Sequence, residues 1–238
     1  MLRIAGLALQ FGLFYYLVNS KEIRKFPFFA IYTIFVATTN PFLFYLKETG
    51  HLYYYFYLYY IQDFICILLS LFILYEILIR VFAQFQNIKM LGLRIFTVSV
   101  LVMTLIAIGS SISFAEHTVH PDSQIFYRAE SALRFIQVGM VLFLMFFMRS
   151  LALVWNKQYF SIAFGFGFYA AVALFYFVCK MQYGLNLAPE FGGIFNVGYF
   201  GSQILWTIGI MHTSQNQAPV ALPNFRHLDK WNRLLSNI

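Results

Sequence analysis

The chain has 238 residues, 61% of them hydrophobic and 11% charged, with a mean hydropathy of +0.71. Soluble domains average roughly 45–50% apolar and about 25% charged, so this composition excludes a water-soluble core and makes lipid the solvent. The net charge of +7 and the pI near 9.4 fit cytoplasmic loops rich in Lys and Arg rather than a nucleic-acid partner.

Apolar runs predict seven spans, which at about 20 residues each leave only short loops and no room for a separate soluble domain. The first covers Ile4 to Val18. Arg3 before an apolar run also resembles a signal peptide, but Tyr15-Tyr16 is a poor neighbour for a cleavage site and the next run follows at once. A retained helix is expected. The second span, Phe28 to Leu46, has Pro27 at its first turn, where a missing N–H costs least. Asn40-Pro41 is expected to kink it. The third, Tyr54 to Ile79, opens on a run of tyrosines that exceeds an ordinary interfacial belt, so some of them should face neighbouring helices. The remaining spans are Leu93 to Phe114, Ser131 to Val154, Phe160 to Cys179 and Gly193 to His212. Residues 1–212 thus form a transmembrane domain and 213–238 a polar tail. In that tail Leu228 to Leu235 can lie along a lipid surface as a short interfacial helix or fray into solvent.

Placing the N-terminus outside puts Lys21, Arg24, Lys25, Arg80, Lys89, Arg94, Arg149, Lys157, Arg226, Lys230 and Arg233 in the cytoplasm. These are eleven of the 16 cationic residues, against four outside and Arg134 within a span. That bias is the positive-inside pattern. The expected fold is therefore an all-α polytopic bundle in the cell membrane, with the C-terminus cytoplasmic. Transporters are commonly built from inverted repeats, and no repeat is visible here.

Ionisable and amide groups inside spans are functional candidates by default. Tyr59, Asp63, Cys66 and Ser70 share a helical face by spacing, as do Glu130, Arg134 and Gln137, and Asn196, Gln203 and Thr207. By helical rise, Asp63 lies roughly 13 Å below the outer end of its helix and Arg134 about 5 Å below its own, a gap that a long arginine can close. An Asp63–Arg134 pair is expected, because either charge alone would be costly in low dielectric. One reading is an outward-facing ligand pocket formed by Tyr59, Asp63, Arg134, Gln137, Asn196 and Gln203. The other is an interhelical hydrogen-bond network that only fixes packing. Glu76, Arg80 and Arg149 form an expected ion cluster at the cytoplasmic rim, as a structural clamp or a releasable lock. Ala163, Gly167 and Ala171, and more loosely Gly198, Ser202 and Gly209, mark close helix seams that a partner protein could also use.

Other chemistries lack their residues. The seventh span holds no lysine for a retinal Schiff base, and histidines do not face one another across spans for haem. Cys66 and Cys179 lie in apolar runs with no paired spacing. The loop Glu116-His117-Thr118-Val119-His120-Pro121-Asp122 matches no strong metal signature, and hydrolase or phosphate-cradling motifs are absent. No catalytic residue, cofactor or metal is expected.

The tyrosine-rich entry to the third helix, Tyr75-Glu76-Ile77 at its exit, Ser131, Arg134 and Gln137 on the fifth, and Gly165-Phe166-Gly167 resemble a group of uncharacterised seven-helix bacterial membrane proteins. The resemblance covers about the middle half of the chain. It implies the same topology, but the group has no agreed activity, so it transfers no catalytic residues. The expected function is a non-enzymatic sensor or binding module in the lipid bilayer, signalling through a separate membrane or cytoplasmic partner. The alternative is an accessory or assembly subunit of a larger membrane complex.

Overall fold

The computed structural model describes residues 2–20, 22–81, 94, 96–106, 109, 121–150, 156–183 and 191–213. His117 and His120, Lys89 and the tail beyond residue 213 lie outside the described residues, as does much of the fourth apolar run. Every element described is helical: α1 (Leu2–Asn19), a short 3-10 turn (Glu22–Arg24), α2 (Pro27–Glu48), α3 (Leu52–Val81), α4 (Phe96–Ile106), α5 (Pro121–Ser150), α6 (Lys157–Tyr183) and α7 (Phe191–Thr213). Five are long and apolar enough to cross a membrane, namely α2, α3, α5, α6 and α7. Their outward faces carry exposed rings and aliphatics such as Phe64, Phe146, Phe175 and Ile208, an arrangement that water would penalise over so large a patch.

Helix ends follow local chemistry. Pro27 stands in the first turn of α2, and the preceding Phe26 offers no side-chain cap. The cap comes from α3 instead: the Phe28 N–H donates to Glu76 Oε2 at 3.3 Å. Arg80 donates to Glu76 Oε1 at 2.8 Å and lies over the Phe26 ring at 5.9 Å. One carboxylate thus ties the start of α2 to the end of α3. Glu76→Ala removes both the cap and the ion pair. A lost helix cap costs about 0.5–2 kcal/mol, so a loss of roughly 1–2 kcal/mol is expected in a melting assay in mild detergent. An unchanged midpoint would show that the contact contributes nothing.

At its other end α2 closes with a Schellman turn. Gly50, at φ 79°, donates to the Lys47 carbonyl at 3.3 Å and His51 to the Leu46 carbonyl at 3.1 Å. The turn sends the chain straight into α3 and holds the two helices as a hairpin.

Six helices close a ring in the order α1, α2, α3, α5, α6, α7, with α7 returning to α1 and α3 reaching across to α6. Asp63 pairs with Arg134, Tyr75 further along α3 meets Phe96, and Gly139 further along α5 meets Met103; the short stretch of α4 from Phe96 to Met103 can span these contacts only if α3 and α5 run parallel. The intervening chain must therefore cross back, and α4 lies on that path. Phe96 packs on Tyr75, late in α3, at 5.8 Å, and Met103 abuts Gly139 midway along α5.

The predicted start of the fifth helix at Ser131 is corrected. Its first turn is at Pro121, ten residues earlier. Arg134 therefore lies 13 residues into α5 and Asp63 11 residues into α3, about 20 Å and 16 Å of helical rise respectively. The depth mismatch expected from the sequence disappears.

Candidate functional site

Beneath the ring's centre sits an aromatic stack. Trp206 is fully buried, its ring 5.6 Å from Phe29, 5.7 Å from Tyr32 and 4.6 Å from Phe166, and its Nε1 donates to the Ile162 carbonyl at 3.2 Å. This knot unites α2, α6 and α7. It is possible only because Gly165 presents no side chain to the indole.

Above it, towards the end of the bundle where α1, α3 and α7 begin, a cavity of about 470 Å³ opens among α1, α2, α3, α6 and α7. That size is typical of small-molecule pockets, which run from about 300 to 1,000 Å³. Tyr32, Tyr55, Tyr59, Tyr169, Tyr176 and Tyr199 contribute to its wall, with Phe56, Phe177 and Phe195 between them. Asn40, Gln62, Asp63 and Asn196 supply the polar groups, and Lys47 stands exposed near the mouth.

Asp63 joins the cavity to a buried ion cluster. Its Oδ1 accepts from Arg134, which also donates to Gln137 Oε1 at 3.2 Å and lies 3.9 Å from Glu130. The Arg134 guanidinium stacks on the Tyr169 ring at 4.8 Å, a cation–π contact favoured where water is excluded. Arg134 is 1% exposed and Glu130 4%. A guanidinium this deep persists because its charge is met by carboxylate and ring and its two terminal nitrogens donate to Gln137 and Asp63, while its Nε has no partner among the described residues.

A second polar chain crosses α1, α2 and α7. Gln10 donates to the Thr33 carbonyl at 3.2 Å, while its Oε1 accepts from Gln203 Nε2 at 2.7 Å and from the Tyr199 hydroxyl at 3.3 Å. Thr33 and Thr207 bond back to their own helices, at Phe29 and Gln203.

Of the residues singled out in the sequence, Tyr59, Asp63 and Asn196 line the cavity. Arg134 and Gln137 stand behind Asp63, and Gln203 lies in the Gln10 chain. Cys66 is in the wall, whereas Ser70 is buried and bonded to the Ile67 carbonyl at 2.7 Å. The expected three-member rim cluster is corrected: Glu76 and Arg80 pair, but Arg149 is exposed and joins neither of them. Thirteen residues of helix turn Glu76 by roughly 220° from Asp63, away from α5, and towards the start of α2.

No family model, curated protein or solved structure matches this chain. Its function must rest on the site's own chemistry. Among the described residues no three His, Cys, Asp or Glu side chains gather as a metal site would require.

The sequence reading missed Gln10, Gln62, Tyr169 and Tyr199. Gln10 carried a signal, being an amide midway along an apolar run, where a polar group needs a partner. The two tyrosines carried none, since among 17 tyrosines periodicity does not separate lining from lipid-facing rings.

Proposed function

We propose that the chain is a seven-span protein of the cell membrane, N-terminus outside and C-terminus cytoplasmic, that works without catalysis as a ligand-binding sensor. The cavity is its external pocket, and a separate protein at the basic cytoplasmic end carries the signal on. The observation that supports this most is a preformed, aromatic-walled cavity with a part-buried carboxylate at its side, the mix of apolar lining and few convergent polar groups that marks ligand sites.

Charge supports the orientation. Arg24, Lys25, Arg80, Arg94, Arg149 and Lys157 all fall at helix ends away from the cavity, whereas Lys47 and Arg128 lie towards its end. The positive-inside pattern then turns the cavity outward. A rigid pocket also needs a path to the far rim. The α2–α3 hairpin offers one, since Tyr32 and Asp63 line the cavity while Phe28 and Glu76 of the same helices are bonded near the other end.

Native mass spectrometry of the protein extracted gently from its own membranes tests this. A single chain retaining a small molecule of defined mass is the expected result. A second subunit at fixed stoichiometry with an empty cavity would instead make the protein an accessory subunit of a larger complex.

A further inference from the structure

We propose that the cavity takes an organic ammonium ion, a protonated amine carrying an aromatic or compact apolar group; this rests on the cavity being a ligand pocket. Three features of the wall carry it.

The first is the face that the ion cluster shows to the cavity. Asp63 pairs with Arg134, which also lies 3.9 Å from Glu130. The Asp63 side chain is 12% exposed, against 2% for Arg134 and 4% for Glu130. Asp63 lines the cavity and Arg134 does not. A ligand therefore meets carboxylate, with the guanidinium turned away behind it. Arg134 occupies Oδ1, which leaves Oδ2 as the oxygen on offer.

The second is an acceptor with nothing to accept. Gln62 follows Asp63 in the wall, and its Nε2 donates to Asn40 Oδ1 at 2.8 Å. Its Oε1 is buried and has no partner among the described residues. A buried acceptor left unmet is costly. An ammonium is a donor for either acceptor, Asp63 Oδ2 or, once its amide turns towards the cavity, Gln62 Oε1. A hydrocarbon tail satisfies neither, and an anion would be repelled by Asp63.

The third is the aromatic wall. Phe195 meets Tyr169 at 5.4 Å and Tyr176 at 5.8 Å, both tilted or edge-on, and Tyr55 stacks on Tyr59 at 6.1 Å. Ring faces attract cations, more so when desolvated. Among the described residues, Lys47 is the one cation in the lining. It is exposed at the mouth, where its stem lets the ammonium stay in water and salt screens it from the interior.

The test compares 2-phenylethylammonium with its neutral analogue 2-phenylethanol and the anion 3-phenylpropanoate, by calorimetry on the full chain in lipid nanodiscs at neutral pH. The ammonium is expected to bind about tenfold or more tighter than the alcohol, as a charge-assisted hydrogen bond predicts, and the anion not at all. Asp63→Asn is expected to abolish that preference. Should that variant fail to fold, Gln62→Leu, outside the ion cluster, is expected to narrow the preference for ammonium over alcohol several-fold. Equal affinity for ammonium and alcohol overturns the ammonium assignment and leaves the pocket standing. Preference for the anion overturns it too. If no probe binds and the cavity holds only lipid, the ammonium assignment and the ligand pocket both fall.

Discussion

Arg134→Met is expected to lower stability by about 3–5 kcal/mol, the cost of removing one partner from a buried ion pair. The side chain is 1% exposed and meets Asp63, Gln137, Glu130 and the Tyr169 ring at once. Methionine fills much of the space but leaves Asp63 without the counter-charge that Arg134 supplies, in low dielectric, where an uncompensated charge is far costlier than in water. The loss should be reversible by design. Adding Asp63→Asn and Glu130→Gln to Arg134→Met removes the carboxylate charges, and apolar or neutral replacements of buried ion groups are often tolerated. The triple variant should therefore melt well above the single one, followed as loss of the monodisperse peak on heating in mild detergent. A single variant that melts like wild type would show that Arg134 reaches water or lipid headgroups and is not buried. The triple variant also separates roles: stability recovered without ammonium selectivity assigns binding to Asp63 and folding to the cluster as a whole.

Much of this site was legible because membrane burial makes polar residues conspicuous. Asp63 and Arg134 drew notice as charges inside apolar runs, and cost in low dielectric predicted that they would pair. Spacing placed Tyr59, Asp63 and Cys66 together, and all three line the cavity. Depth was misjudged for a physical reason. Polar residues break up the stretch 121–130, Asp122, Ser123, Gln124, Arg128 and Glu130 among them, so hydrophobic periodicity fails there, yet helix α5 runs through them from Pro121, a residue suited to the first turn. Periodicity also says which residues share a helix face but not which helix that face meets. The ring order placing α3 beside α5, and α7 beside α1, is what joins Asp63 to Arg134 and Gln203 to Gln10. The same limit explains Arg149: rotation along α3 sends Glu76 to the start of α2, and Arg149 stands exposed. The small-residue seams behaved differently again. Gly198 lies against Val172 and Gly167 against Val141, so these surfaces are filled by the bundle's own helices, while Ala171 is exposed.

Gly165→Ala is expected to be strongly damaging for a one-methyl change, at about 1–3 kcal/mol, the usual cost of overpacking a filled core. Its Cβ would fall 2.7 Å from Trp206 Cδ1 and closer still to Nε1. The indole has nowhere to go, because Phe29, Tyr32 and Phe166 hold it from other sides and its Nε1 is bound to Ile162. Gly12→Ala is the control: nothing lies within 4 Å of that position on α1, and helix propensity alone should add up to about 1 kcal/mol. Opposite signs at two helical glycines would tie the effect to the indole and not to the backbone. Trp206→Phe makes the argument sharper. Alone it should cost stability, since it empties volume and leaves the Ile162 carbonyl without its donor. In that background, however, Gly165→Ala should cost much less than in wild type, and this coupling is read from a double-mutant cycle of melting midpoints. Strictly additive effects would mean that the two side chains do not contend for one space. The consequence reaches the cavity, because Tyr32 and Tyr199 both line it and pack on Trp206. Displacing the indole tilts the wall that a ligand would rest against, so Gly165→Ala should weaken binding of 2-phenylethylammonium and 2-phenylethanol alike. A change at Asp63 should weaken the ammonium alone, which separates the shape of the pocket from its charge.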